Sequence, residues 1–378
     1  MANGEYAALL ALIAPQVGGK ADPCVAKDDE TLYRQAVKHE VGNLLYLARM
    51  EDPAFDPRVR AALERRLFAS VSQQVRQESE AAAAFAALRE ENIPFLPMKG
   101  IVLRPLYPKP EMRTSCDVDL LYDERRRADV AAVMARLGFT DAGGDANNEE
   151  YTKGPVTVET HRHLCMQLPR IDAYYADIFA RLVPVSGSEY RMTDEDFYIY
   201  QTVHAMKHFV AGGTGLRTVL DTFVYRHKKP DLDRAYLERE LTKIGLWQFH
   251  LTLEALAEGW FNAAPLTPDA EDVGDYILGS GVYGQTENRV ANQTRARGGR
   301  FAYLMGRAFP PYHIMKEKYP SLGRFPPALP FYWIGRLFRG IFSRKGDAAR
   351  EIGAMRRTDP EKAQALQNVM RKAGLTDE

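Results

Sequence analysis

Apolar residues return at helical spacing at Val59, Leu63, Leu67, Val71 and Val75, and the alanine-rich run Ala81–Ala87 follows them. That pattern predicts a helix from about Arg58 to Asn92, ended by Pro94, because proline disfavours a helical conformation at the residue before it. Residues 1–92 read as helical throughout. The period then changes to two. Ile93 to Met98 predicts a short strand, and Gly100 to about Tyr107 a helix entered through Lys99-Gly100. Asp117 and Asp119, alternating with Val118, Leu120 and Leu121, predict a half-buried strand. Asp123 can cap a helix from about Glu124 to Leu137, closed by Gly138. Residues 139–164 read as strands with turns; the last strand places Thr157, Glu159, His161 and His163 on one face, Val156 and Val158 on the other.

From about Asp194 the pattern is helical again, with Phe197, Tyr200, Val203, His204, Lys207 and His208 on the first helix. Ala211–Gly215 interrupts it, a second helix restarts with Leu216, Arg217 and Asp221, and helices continue through Trp247 and Trp260. A proline-punctuated stretch from Phe309 to Pro330 leads into the aromatic and basic segment 331–345. No internal repeat is visible. The chain therefore reads as α+β: an N-terminal helical region over 1–92, a core of strands and helices over 93–190, a C-terminal helical region over 191–345, and a charged tail over 346–378, mobile towards its end.

Composition narrows the class without naming a function. At 46% apolar and 26% charged residues the chain is an ordinary globular protein. Fifty lysines and arginines balance fifty aspartates and glutamates, so no global basic field gathers long nucleic acids. The three cysteines, Cys24, Cys116 and Cys165, make neither a disulfide framework nor a zinc spacing. The opening residues lack a basic leader, and no apolar run reaches the ~18–20 residues that span a bilayer, so a cytoplasmic protein is expected.

The chemistry concentrates around the Asp-x-Asp strand. Period two sends Asp117 and Asp119 to one face, where like charges need a cation between them, and hard oxygen ligands favour magnesium. Glu159 adds a third carboxylate from a later strand, giving the pattern of a two-metal phosphoryl-transfer site. Lys99 and Gly100 stand at a helix entry suited to phosphate oxygens. Arg113, in a loop four residues before Asp117, is placed to meet an anionic ligand. His204 and His208 share a helix face with metal-clip spacing, yet lack the glutamate of a metalloprotease; structural or substrate contact is the simpler role. Lys207 can reach a triphosphate, Arg217 can pair with Asp221 or bind phosphate, and His161 and His163 can flank Glu159. Cys116 reads as packing.

The order Lys99-Gly100, Arg113, Asp117-x-Asp119-Leu-Leu, Gly138-Phe139, Glu159-x-His161, His204-x-x-x-His208 and Leu216-Arg217-x-x-x-Asp221 closely resembles the uncharacterised bacterial branch of the DNA polymerase beta-like nucleotidyltransferase superfamily, over roughly residues 60–340. The resemblance implies a small mixed sheet with flanking helices, magnesium (two ions), and a nucleoside triphosphate donor. It also implies Asp117 and Asp119 as metal ligands, Glu159 as the third acid, and Gly100 at the phosphates. Where the broader superfamily has Gly-Ser at the helix entry, this chain has Lys99-Gly100. The acceptor is not implied; a small molecule, sugar or protein suits the neutral charge better than long nucleic acid. Two other readings stand beside the enzyme: a catalytically silent nucleotide-binding protein on the same fold, and contact with a membrane surface through 331–345.

Overall fold

The computed structural model describes residues 2–20, 28–144, 147–164, 168–282 and 360–375, with residues 22 and 24 and short pieces between 305 and 335. Three helices come first, α1 (Ala2–Ile13), α2 (Asp29–Lys38) and α3 (Gly42–Arg49), followed by the long α4 (Pro57–Glu90). The Asp56 carboxylate caps α4 by accepting from the amides of Arg58 and Val59 at 2.7 and 3.1 Å. Its buried face holds Val59 and Leu63 and then Gln77, Ala81, Ala84, Ala87 and Leu88, while Val75 is exposed. Steps of four residues in a helix of ~3.6 per turn drift by roughly 40° each, so the row from Val59 to Val75 winds off the core.

The predicted strands, joined by a hairpin at 183–191 that was not predicted, form one sheet of seven, in the order β3-β4-β5-β2-β1-β7-β6. They are β1 (Phe95–Met98), β2 (Val118–Tyr122), β3 (Thr140–Gly144), β4 (Asn148–Lys153), β5 (Val156–His161), β6 (Val183–Ser186) and β7 (Glu189–Arg191). β2 is central, antiparallel to β1 and parallel to β5. Between strands lie α5 (Gly100–Leu103), α6 (Arg127–Arg136) and α7 (Pro169–Tyr175). The predicted helices at Gly100 and Glu124 each contain a 3-10 turn: Arg104–Leu106 follows α5, and Glu124–Arg126 precedes α6. Helices α8 (Asp194–Ala211), α9 (Leu216–Lys228), α10 (Arg234–Lys243), α11 (Trp247–Asn262) and α12 (Pro268–Ser280) follow the sheet.

Alternation on β2 divides the interior. Val118, Leu120 and Tyr122 join Phe95, Val158, Ala84, Leu88 and Val133 in the core beneath α4 and α6. Leu121 on the other face joins Leu96 and Met98 in a larger core that runs from Leu9 of α1 through Phe209 of α8 and Phe249 of α11 to Ile277 of α12. The helices before and after the sheet thus share one apolar interior, and α1 packs directly on α12. Asp119 and Glu159 belong to the face turned towards these C-terminal helices.

The tail differs from expectation. Pro360–Lys372 forms helix α13, packed on α12, with Met370 and Ala373 in the large core and Lys372 paired with Asp269 and Asp272. Leu366, Met370 and Ala373 make an apolar stripe at helical spacing within the charged sequence. In the aromatic segment Phe331 and Ile334 are exposed; 336–345 and Cys165 lie outside the described residues. No helix among the described residues is long and apolar enough to cross a membrane.

Candidate active site

Strand pairing assembles the acids. β2 and β5 run parallel with Asp119 opposite Glu159, and β1 meets β2 on its other side with Met98 opposite Asp119. Asp117 immediately precedes β2, and His161 sits two residues beyond Glu159, on the same face of β5. Residues forty positions apart therefore reach one patch of sheet. Asp119, Glu159 and His161 each offer a ligand atom within 4.8 Å of the others. Two carboxylates and an imidazole, with Asp117 adjoining, are a donor set that suits a divalent cation.

Lys99 lies over this patch. Its Nζ is 2.5 Å from Asp119 Oδ1 and 3.8 Å from Glu159 Oε2. His161 Nε2 approaches the same oxygens, at 2.9 and 3.6 Å, and the Asn148 amide donates to Glu159 Oε1. Asp119 is only 1% exposed. Burial raises its carboxyl, but Lys99 and His161 outweigh that and hold it well below the usual carboxylate range. Burial would lower the Lys99 ammonium, yet Asp119, Tyr200 and Glu159 raise it above its ordinary value. Asp117 behaves oppositely: burial and the charge of Asp119 push its carboxyl up to about 6. The Ser115 hydroxyl donates to the Asp117 carbonyl at 2.9 Å.

The helix entry is close-packed. Lys99 caps α5 with φ +53° and ψ −122°, a conformation that glycine tolerates far better than lysine. A Cβ on Gly100 would lie 2.6 Å from Ser115 Oγ and 3.1 Å from Ser115 Cβ, so only glycine lets the 113–116 loop lie against the start of α5.

Arg113 turns to Asp221. It is buried, and its Nε and Nη2 donate to Asp221 Oδ1 and Oδ2 at 2.8 and 3.0 Å, while the Tyr107 hydroxyl donates to Oδ1 at 2.6 Å. Asp221 therefore pairs with Arg113 rather than Arg217, and this fork ties the loop before Asp117 to α9. Arg217 donates only to the carbonyl and hydroxyl of Thr114, both at 3.4 Å, and meets no carboxylate at ion-pair distance among the described residues. On α8, His204 and His208 face each other through Nε2 atoms 3.2 Å apart. Burial, then His208, then Lys99 hold the His204 imidazole well below its ordinary value, which suits two neutral rings sharing one hydrogen. Lys207 is exposed beside them. His163 meets Glu124 at 3.2 Å, away from the acids, and Cys116 is exposed rather than packed.

The family described as "Uncharacterised nucleotidyltransferase" matches residues 26–262. The chain belongs to that family. The match covers all seven strands and helices α2 to α11, so the acid patch lies wholly inside it. Among solved structures, that of the antibiotic-resistance factor ANT(2'')-Ia, determined in solution, is similar at 15% identity and a TM-score of 0.26 over 50% of this chain and 90% of that one. Against curated proteins there is no match. In this family member Asn148 and Tyr200 had no signal in the sequence: each reaches the site only through strand pairing or helix packing.

Proposed function

We propose that the chain transfers a nucleoside monophosphate from a nucleoside triphosphate to an acceptor, with Asp117 and Asp119 holding magnesium at the α-phosphate. One observation carries the reading: Asp119 and Glu159 stand in register on adjacent parallel strands, with Asp117 beside them. Together they form a negative cluster inside a chain of the nucleotidyltransferase family. Bound there, magnesium neutralises phosphate charge and acts as a Lewis acid. The protein's own cations do the rest. Lys207, exposed on α8, and Arg217, which meets no carboxylate at ion-pair distance among the described residues, are the groups that receive the β- and γ-phosphates. An acceptor oxygen bonds to the α-phosphorus as the bridging P–O bond breaks; its electron pair leaves with pyrophosphate, and the acceptor's proton passes to water. The Arg113–Asp221 fork holds the loop carrying Asp117 in place while this happens.

Thermal melting against each of the four ribonucleoside triphosphates, with and without magnesium, tests the donor site, because a ligand of the native state raises the midpoint by mass action. The expected result is a magnesium-dependent rise with at least one nucleotide that disappears in Asp119→Asn. A second reading is favoured by the Lys99 contact itself, which neutralises the acids without a metal: a silent module that binds nucleotide. A rise of equal size without magnesium, unchanged in Asp119→Asn, selects that module and sinks the transferase.

A further inference from the structure

Three acids at a phosphoryl-transfer site ordinarily make two cation positions, one shared by the first two acids and a second completed by the third. We propose that in this chain the second position belongs to the Lys99 ammonium, so that the donor complex takes one divalent ion, held between Asp117 and Asp119. The inference rests on the nucleotidyl-transfer reading above.

The oxygens of Asp119 and Glu159 carry the argument. Asp119 Oδ1 faces both Lys99 Nζ, at 2.5 Å, and His161 Nε2, at 2.9 Å. Glu159 Oε1 accepts from Asn148, and Glu159 Oε2 lies 3.8 Å from Lys99 Nζ and 3.6 Å from His161 Nε2. Three of the four oxygens are thus turned towards donors of this chain. Asp119 Oδ2 is the one that meets no donor among the described residues, and Asp117, two residues before it, meets one side-chain donor among them, Ser115 Oγ at 3.4 Å. A magnesium ion needs ligand oxygens at ~2.1 Å, and a second ion drawing on Glu159 would have to sit within a few ångströms of a full positive charge. Asp117 and Asp119 Oδ2 are the carboxylate oxygens left for a divalent ion.

The backbone argues the same way. Lys99 holds φ +53° and ψ −122°, where a glycine would be at ease and a lysine is strained. Strain of this kind persists where the side chain is needed, and the side chain here reaches from the helix entry to the two acids. Lys99 is therefore a built-in cation on the third acid, and Glu159 serves to position it.

The experiment counts manganese bound per chain, by equilibrium dialysis with paramagnetic resonance readout. It is run at saturating α,β-methylene analogues of ATP, GTP, CTP and UTP in turn, none of which can transfer its nucleotide. Wild type is expected to hold one ion with the analogue it binds. Lys99→Gly removes the ammonium and relaxes the backbone, so it folds, and it is expected to hold two. Lys99→Gly/Glu159→Gln returns to one, and Lys99→Arg, which keeps a cation, stays at one. Two ions in wild type overturn the proposal, since the ammonium is then displaced; one ion in both wild type and Lys99→Gly overturns it equally, since no second position was being filled. No manganese with any analogue in any form removes the nucleotidyl-transfer reading itself, a failure distinct from that of the Lys99 assignment.

Discussion

His39 closes α2 against the far end of the chain, and its protonation is expected to open that junction. The residue is fully buried, with Leu216 N–H donating to Nδ1 at 3.1 Å and Nε2 lying 3.2 Å from the Leu278 carbonyl. These partners assign the tautomer: Nδ1 accepts, so Nε2 carries the hydrogen and donates. A second proton would have to enter at Nδ1, opposite the amide that opens α9. Burial and the adjacent Lys38 push the imidazole down to about 4, the Leu278 bond opposing them. Because the folded value lies below the ordinary 6.5, the stabilisation is complete above 6.5 and is lost as pH falls towards 4, where the unfolded chain takes a proton the native one refuses. Two and a half units correspond to roughly 3 kcal/mol, falling at ~1.4 kcal/mol per pH unit. Urea unfolding of wild type and of His39→Gln, whose amide never charges, measures it between pH 7.5 and 4. The wild-type advantage should shrink by roughly 3 kcal/mol across that window. An advantage that stays constant refutes the buried neutral imidazole.

Two further perturbations address the loop before Asp117. Asp221→Ala leaves the buried Arg113 guanidinium without its carboxylate and is expected to lower unfolding free energy by about 3–5 kcal/mol in denaturant titration; a change under ~1 kcal/mol would mean Arg113 reaches solvent instead. Gly100→Ala drives a methyl into Ser115 and should cost about 1–3 kcal/mol together with magnesium-dependent nucleotide binding, most of it recovered in Gly100→Ala/Ser115→Gly. If the double variant melts no higher than the single one, the close approach is not the cause.

What the sequence disclosed and what it withheld divide along sequence separation. Helix α4, strands β2 and β5, and the shared faces of Asp117 with Asp119 and of Glu159 with His161 follow from periodicity, which local residues impose. The choice of partner does not. Arg217 stands four residues from Asp221 and was the natural partner for it, yet Arg113, 108 residues away, makes the fork, because only the fold decides which guanidinium meets a buried carboxylate. The Asn148 amide reaches Glu159 only because β4 and β5 are antiparallel. The hairpin of β6 and β7 is short and mostly exposed at the sheet edge, so it lacks the alternation that marks a strand, although Gly187, with φ +58°, gave a turn signal. The stripe of α13 was legible but lay within a charged run.

The interior shared by α1 and α12 has a consequence for biosynthesis. Leu9 emerges from the ribosome more than 250 residues before its neighbours on α12. At ~5–20 residues per second, that is a wait of roughly 10–50 s with an apolar helix uncovered. The acidic sheet can pair during that interval, whereas the junction of Lys38 and His39 with Leu278, and the turn opening α9 that rests on it, cannot form. The nascent chain therefore has to be kept from aggregating while its interior is open, and the Arg217 and Asp221 side of the site is assembled among the last parts of the molecule.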